Sequence, residues 1–219
     1  MKMPRHPYKH WISGLALHLS TFEAIPDQLF TKLFQLNLEI LSLSHVDINE
    51  GSVQLKQFLS LQLSQGIAEI HMHQCTAQVL YSLLMAIQDR MRPHLHTLCI
   101  NQCYLSDHHI IPLVGHCPGL KTLKLHQCGC LSDEGLIAIA NRCKLLNTLI
   151  VTLPPTIIQS NTITTRTLEA LNANCLMLRS FVCGGQIRIT EHITQEPQQS
   201  YRFVITTNTD HLPPFGVGE

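Results

Sequence analysis

The chain has 219 residues, 45% of them apolar, which is enough for a core in one or two domains or in one elongated array of repeats. Lysine plus arginine and aspartate plus glutamate balance at 15 each, so the charge carries no footprint for nucleic acid or for an anionic membrane. No segment reaches the roughly 18 apolar residues of a membrane span, and His10 and His18 break the apolar part of the N-terminus, so no signal peptide is read there.

The nine cysteines are an odd number in a chain too large to need disulfide staples. Without a secretory signal they are expected as reduced thiols, in the cytosol or the nucleus.

In chain order, residues 1–11 are expected to form an N-terminal cap, with Tyr8 and Trp11 over the first repeat. A spacing L-x-x-L-x-L-x-x-C then recurs. It begins loosely at Ile12, Leu15, Leu17 and Ser20, and continues at Leu38, Leu41, Leu43 and Val46. It is complete at Ile67, Ile70, Met72 and Cys75, at Leu95, Leu98, Ile100 and Cys103, and at Leu120, Leu123, Leu125 and Cys128. Leu146, Leu149 and Val151 fit its first three places, and Leu178, Phe181 and Cys183 follow. The starts at 12, 38, 67, 95, 120, 146 and 178 are separated by 26, 29, 28, 25, 26 and 32 residues.

Two further landmarks keep step. Cys117, Cys143 and Cys175 each stand three residues before a repeat start. Leu105-Ser106-Asp107 and Leu131-Ser132-Asp133 precede apolar runs, and Ser-Asp there is a helix N-cap signal, since side-chain oxygens accept otherwise unpaired N–H groups. Each unit is therefore a strand, a loop and a helix. One such unit cannot bury its apolar face alone, whereas stacked units share a continuous core. A doubly wound α/β domain would have no reason to repeat its side chains in register.

These residues resemble the leucine-rich repeat superfamily, and more narrowly its cysteine-containing type, as in F-box/LRR proteins. HQCGCLSDEGLIAIANRCKLLNTL is similar to that type's pattern C-x-x-[LI]-[ST]-D-x-x-L…C-x-x-L-x-x-L through nearly a whole repeat. The resemblance covers residues 67–190 well and 12–66 weakly, and it departs at Leu153-Pro154-Pro155, where a bulge or an insertion of roughly 6 residues is expected.

The fold expected is an α/β leucine-rich-repeat solenoid, a horseshoe with a parallel concave sheet and convex helices. It has about seven repeats over residues 12–194, a degenerate capping strand over 195–205 and a flexible tail over 206–219. The resemblance implies the substrate-recognition part of an SCF-type ubiquitin ligase. Only 11 residues stand before Ile12, so no F-box is visible and ligase-docking residues cannot be carried over. Two alternatives stand: a piece of a longer F-box protein, or a stand-alone repeat protein that regulates other complexes.

The strand pattern also sorts the outward side chains. One ladder reads Ala16, Ser42, His71, Cys99, Lys124, Ile150 and Val182, and a second reads His18, Ser44, His73, Asn101, His126, Thr152 and Gly184. The partner-binding residues expected are His18, Ser44, His71, His73, Cys99, Asn101, Lys124, His126, Ile150 and Thr152, with a protein as partner.

Chemical roles have less support in the sequence. His71 and His73 would share a strand face about 7 Å apart at the backbone, with His126 about 10 Å across the sheet. Zinc wants three or four ligands and a second shell. Cys128-x-Cys130 is not a zinc spacing, Cys130 is the thiol expected to be most exposed, and the other cysteines read as small buried residues. No phosphate loop or nucleophile elbow occurs. Cys99 beside His71 is the best Cys–His pair. No catalytic residue, metal or cofactor is assigned.

Overall fold

Seven strands begin two residues after the seven repeat starts. The computed structural model describes residues 14–18, 35–46, 53–129, 131–153, 162–184, 188–189 and 201–206. Its strands are β1 (Gly14–His18), β2 (Ile40–Ser44), β3 (Glu69–His73), β4 (Thr97–Asn101), β5 (Thr122–His126), β6 (Thr148–Thr152), β7 (Thr162–Ile163), β8 (Ser180–Gly184), β9 (Arg188–Ile189) and β10 (Val204–Thr206). The helices are α1 (Val53–Gln65), α2 (Ala77–Gln88), α3 (Asp107–His116), α4 (Asp133–Arg142) and α5 (Thr165–Asn174).

The main sheet is all parallel, in the order β1-β2-β3-β4-β5-β6-β8-β10, and it stays open, with β1 and β10 at its edges. Each repeat pairs with the next in the register that the sequence pattern predicts. Leu41 faces Ile70, Leu98 faces Leu123, and Leu149 faces Phe181. The fold is an α/β solenoid of stacked strand–helix repeats built on that leucine spacing.

Alternation explains which side the helices cover. Leu41, Leu43, Ile70, Met72, Leu98, Ile100, Leu123, Leu125, Leu149, Val151, Phe181 and Cys183 enter one core with the apolar faces of the helices. In α2 those faces are Val79, Leu80, Leu83, Leu84 and Ile87, a helical spacing. The residues between them point to the other face of the sheet, which carries no helix among the described residues.

Six of the cysteines fill two interior columns. Cys75, Cys103 and Cys128 leave the strands, and Cys117, Cys143 and Cys175 are the C-cap residues of α3, α4 and α5. All eight described cysteines are buried and unbridged, and Cys130 lies outside the described residues. A thiol suits these places because it is small, apolar and still a weak donor. Cys128 Sγ donates to the Ile100 carbonyl at 3.1 Å, and Cys175 Sγ to the Cys143 carbonyl at 3.5 Å. Each links one repeat to the one before. Burial pushes the thiols of Cys117, Cys128 and Cys143 up to about 12.

A second inter-repeat link grows from the Ser-Asp motif. The Ser132 hydroxyl caps α4 by accepting from Glu134 N–H, and Thr164 caps α5 through Arg166 N–H. The aspartates that follow Ser106 and Ser132 each reach forward to the next repeat. Asp107 accepts from Ser132 N–H at 3.0 Å and from its hydroxyl at 2.5 Å. Asp133 accepts from Thr164 N–H at 2.9 Å, from the Thr164 hydroxyl, and from the buried Thr167 hydroxyl at 2.5 Å. A Cβ at Gly135 would stand 2.2 Å from the Asp107 carboxylate, so a side chain there would push Asp107 away from Ser132.

The irregularity expected after Leu153 does not interrupt the pairing of the strands on either side. Residues 154–161 lie outside the described residues, but β6 and β8 pair over their whole length, Thr148–Thr152 against Ser180–Gly184. Stacking is therefore regular through the long repeat. β7 and β9 add a two-stranded parallel ribbon beside it. Beyond β8, Phe203 is buried and meets Phe181 edge-on at 6.3 Å, and β10 pairs with β8. The cap expected from Tyr8 and Trp11 falls outside the described residues, and so does the tail expected over 206–219, apart from Thr206 at the end of β10.

Candidate functional site

The helix-free face is built from strand positions one, three and five, since side chains two apart share a face. The sequence reading used two of these rows and missed the third. The first strand positions are Ile40, Glu69, Thr97, Thr122, Thr148 and Ser180, aligned by register. Ile40 is exposed and the other five are half-buried, which makes this row the more open part of the face. Its signal was present in the sequence as a Thr directly before a Leu in three successive repeats.

The two predicted rows are more closed than expected. His71, His73, Lys124 and His126 are half-buried. Cys99 is only 2% exposed, and Ser44, Asn101, Ile150 and Thr152 are buried too. These five are corrected from open contacts to the floor of the face. Parallel register explains part of this, because short side chains stand between longer ones. Cys99 lies between His71 and Lys124, and Asn101 between His73 and His126. His18 aligns with Ser44 at the end of β1.

The histidines are engaged with neighbours and do not converge. His71 Nε2 lies 3.3 Å from Glu69 Oε2, the only ion pair within 4 Å among the described residues. His73 Nδ1 accepts from Asn101 Nδ2 at 2.9 Å, and its ring meets His45 edge-on at 5.3 Å. No group of three or more His, Cys, Asp or Glu among the described residues is arranged to hold a metal. Burial pushes the Cys99 thiol up to about 11, against the pull of Lys124 and with Glu69 adding to the rise. A nucleophilic thiol needs the opposite shift, so the Cys99–His71 pair gains no support as a catalytic centre.

A further row closes the rim where the chain leaves the strands. His45, Gln74, Gln102 and Gln127 all adopt left-handed backbone, with φ between 50° and 55°. Non-glycine residues visit that region at a cost. Here it keeps the ladder going: Gln74 N–H donates to Asn101 O and Gln102 N–H to His126 O, both at 2.9 Å. It also stacks the amides. Gln74 Nε2 donates to Gln102 Oε1, and Gln102 Nε2 donates to Gln127 Oε1 at 2.6 Å. The triplets His73-Gln74-Cys75, Asn101-Gln102-Cys103 and His126-Gln127-Cys128 carry this row in the sequence, between a residue of the second ladder and the recurring cysteine.

Burial holds His126 below the usual histidine range, and burial followed by the nearby His45 does the same to His73. A histidine depressed in the folded state binds its proton more readily when unfolded. Its stabilisation is present above 6.5, the ordinary histidine value, and is lost as pH falls through the depressed value. Urea midpoints should therefore drop between pH 7 and 5. The drop should be smaller in a His73→Gln/His126→Gln variant. Parallel curves for the two proteins would contradict it.

What this surface offers is a field of hydroxyls, imidazoles and one lysine over a buried floor, framed by a row of amides. No family model and no curated protein matches the chain. Among solved structures it is similar to a chain in the crystal structure of the Rad7 and Elc1 complex in yeast, at 16% identity and a TM-score of 0.36. The match covers 75% of this chain and 56% of that one, so this chain spans little more than half of its length. At that score the likeness adds nothing to the fold, which rests on the chain's own strand register.

Proposed function

We propose that the chain is a protein-binding scaffold and that its helix-free sheet face holds the partner. The observation that carries this is the in-register row Glu69, Thr97, Thr122, Thr148 and Ser180, half-open beside His71 and Lys124. A rigid sheet presents these groups at fixed spacing, so a partner loses little entropy in the protein when it binds. In the finer reading, the partner is a substrate and the chain is the substrate-recognition part of an SCF-type ubiquitin ligase. The two columns of buried cysteines agree with the cysteine-containing repeat pattern on which that reading rests. The alternative is a stand-alone regulatory binder.

The test is affinity capture of the tagged chain from its own cells, with quantitative mass spectrometry. A Thr97→Arg/Thr122→Arg variant places bulk on the open row, and Arg142→Glu on α4 is the control from the helix side. The first should cut capture of the main partner at least about tenfold, a change of 1.4 kcal/mol, and the control should not. Both should keep the parent's circular dichroism. Equal capture by all three proteins would overturn the binding face. Ligase core subunits among the captured proteins would support the ubiquitin-ligase reading, and a partner without them would favour the stand-alone binder.

A further inference from the structure

Away from the sheet face, a groove of about 780 Å³ opens between α1 and the turn that follows α2. Lys56, Ser60 and Ser64 enter it from α1 at successive i, i+4 positions, so one ridge of that helix lines the groove. Asp89, Arg90 and Arg92 enter it from the turn. Three cations thus face one carboxylate in a chain whose formal charge is zero overall.

The carboxylate makes no close ion pair with the cations, although its charge favours the protonated Arg92 guanidinium. The only ion pair within 4 Å among the described residues is on the sheet face, and Asp89 Oδ2 accepts from the Ser60 hydroxyl at 3.5 Å. Arg92 is the unusual member. It is 5% exposed, one of its terminal nitrogens donates to the Ala86 carbonyl at 2.6 Å, and its buried Nε has no partner. A guanidinium taken out of water is costly unless its charge is matched, and the exposed Asp89 offsets only part of that burial. An anion in the adjoining groove would offset that cost. Arginine and lysine together are also the side chains that recognise phosphate.

We propose that this groove binds a small phosphorylated ligand, with the phosphate between Lys56, Arg90 and the edge of Arg92. Asp89 repels a bare anion, so the ligand also carries hydroxyls that can donate to that carboxylate, as a sugar phosphate or a nucleotide does. The volume lies within the ordinary range for small-molecule sites, roughly 300–1,000 Å³. This site is separate from the partner-binding face and does not depend on it.

The experiment is calorimetric and thermal-shift titration of the whole chain with ribose 5-phosphate, AMP, inorganic phosphate, ribose and a phosphoserine peptide at constant ionic strength. The proposal expects saturable binding of ribose 5-phosphate or AMP, weaker binding of phosphate and none of ribose. It also expects at least a tenfold rise in Kd in a Lys56→Ala/Arg90→Ala variant. Neither of those side chains is fully buried, so the variant should fold, as circular dichroism will show. A Ser60→Glu/Ser64→Glu variant should lose binding in the same way. No binding by the parent chain, equal binding by the variants, or binding of a phosphoserine peptide in preference to the small ligands would overturn it.

Discussion

Replacing Asp133 by alanine should lower the stability of the chain by about 3 kcal/mol. Its carboxylate accepts three hydrogen bonds from the next repeat, at Thr164 N–H, Thr164 Oγ1 and Thr167 Oγ1. Bonds to a charged acceptor contribute roughly 1.5–3 kcal/mol each, and bonds sharing one acceptor group do not add in full. Thr167 is fully buried, so its hydroxyl would be left without its Asp133 acceptor. Asp107, one repeat earlier, makes two such bonds to the exposed Ser132, so Asp107→Ala should cost less, about 1 kcal/mol.

Solenoid stability is close to a sum of repeats and nearest-neighbour interfaces. The Asp133→Ala loss should therefore be felt first across the α4–α5 interface, where hydrogen exchange in α5 should speed up before that in α2. Equal urea midpoints for the Asp107 and Asp133 variants would contradict the argument. Acid offers a second reading of the same group. Burial, the largest influence on Asp133, pushes its pKa up, but the hydroxyls of Thr164 and Thr167 and the Thr164 N–H outweigh it and hold the pKa below 3.8. The stabilisation is therefore present above 3.8 and lost as pH falls through the depressed value. The Asp133→Ala variant should lack this component of the acid transition.

Phe181→Ala should cost more, about 3–5 kcal/mol, the range for deleting a buried phenyl ring. Phe181 is fully buried in β8, between Leu149 of β6 and Ile205 of β10 in register, and its ring meets Phe203. The ring therefore anchors the last strand as well as the core. Val204 N–H donates to Arg179 O at 2.9 Å, and its exchange rate reports whether β10 is docked. In Phe181→Ala that amide should exchange early, while the amides of β3 and β4 stay protected. Phe181→Leu should recover most of the stability, because it keeps most of the volume. Retained protection at Val204 in the alanine variant would show that β10 is held by something other than this ring.

Most of the fold was legible in the sequence because a solenoid repeats its core. A leucine spacing that returns every 25 to 32 residues gave the seven strand positions, and β1 to β6 and β8 begin at the same offset from each predicted start. The alternation of a strand has only two phases, so the pattern also told inward from outward side chains. Ser106 and Ser132 marked helix starts for a similarly local reason.

What the pattern could not supply was everything set by contact between repeats. Asp133 reads as an ordinary first-turn acid in the sequence, yet its hydrogen bonds go to residues 31 to 34 positions away. Gln74, Gln102 and Gln127 read as polar loop residues, and only left-handed backbone at three stacked turns turns them into a ladder. Exposure across the outer face was hidden for the same reason. Period-two alternation assigns Cys99 and Asn101 to that face, but the long neighbours that register sets on either side leave them as its floor. The sequence by itself carried the periodicity, and so the strands, the core and the stacking order. Only the assembled sheet could show which outward side chains reach solvent, and that Arg92 is buried at a groove with no carboxylate of the described residues in close ion-pair contact. Both depend on neighbours distant in the chain that local spacing does not encode.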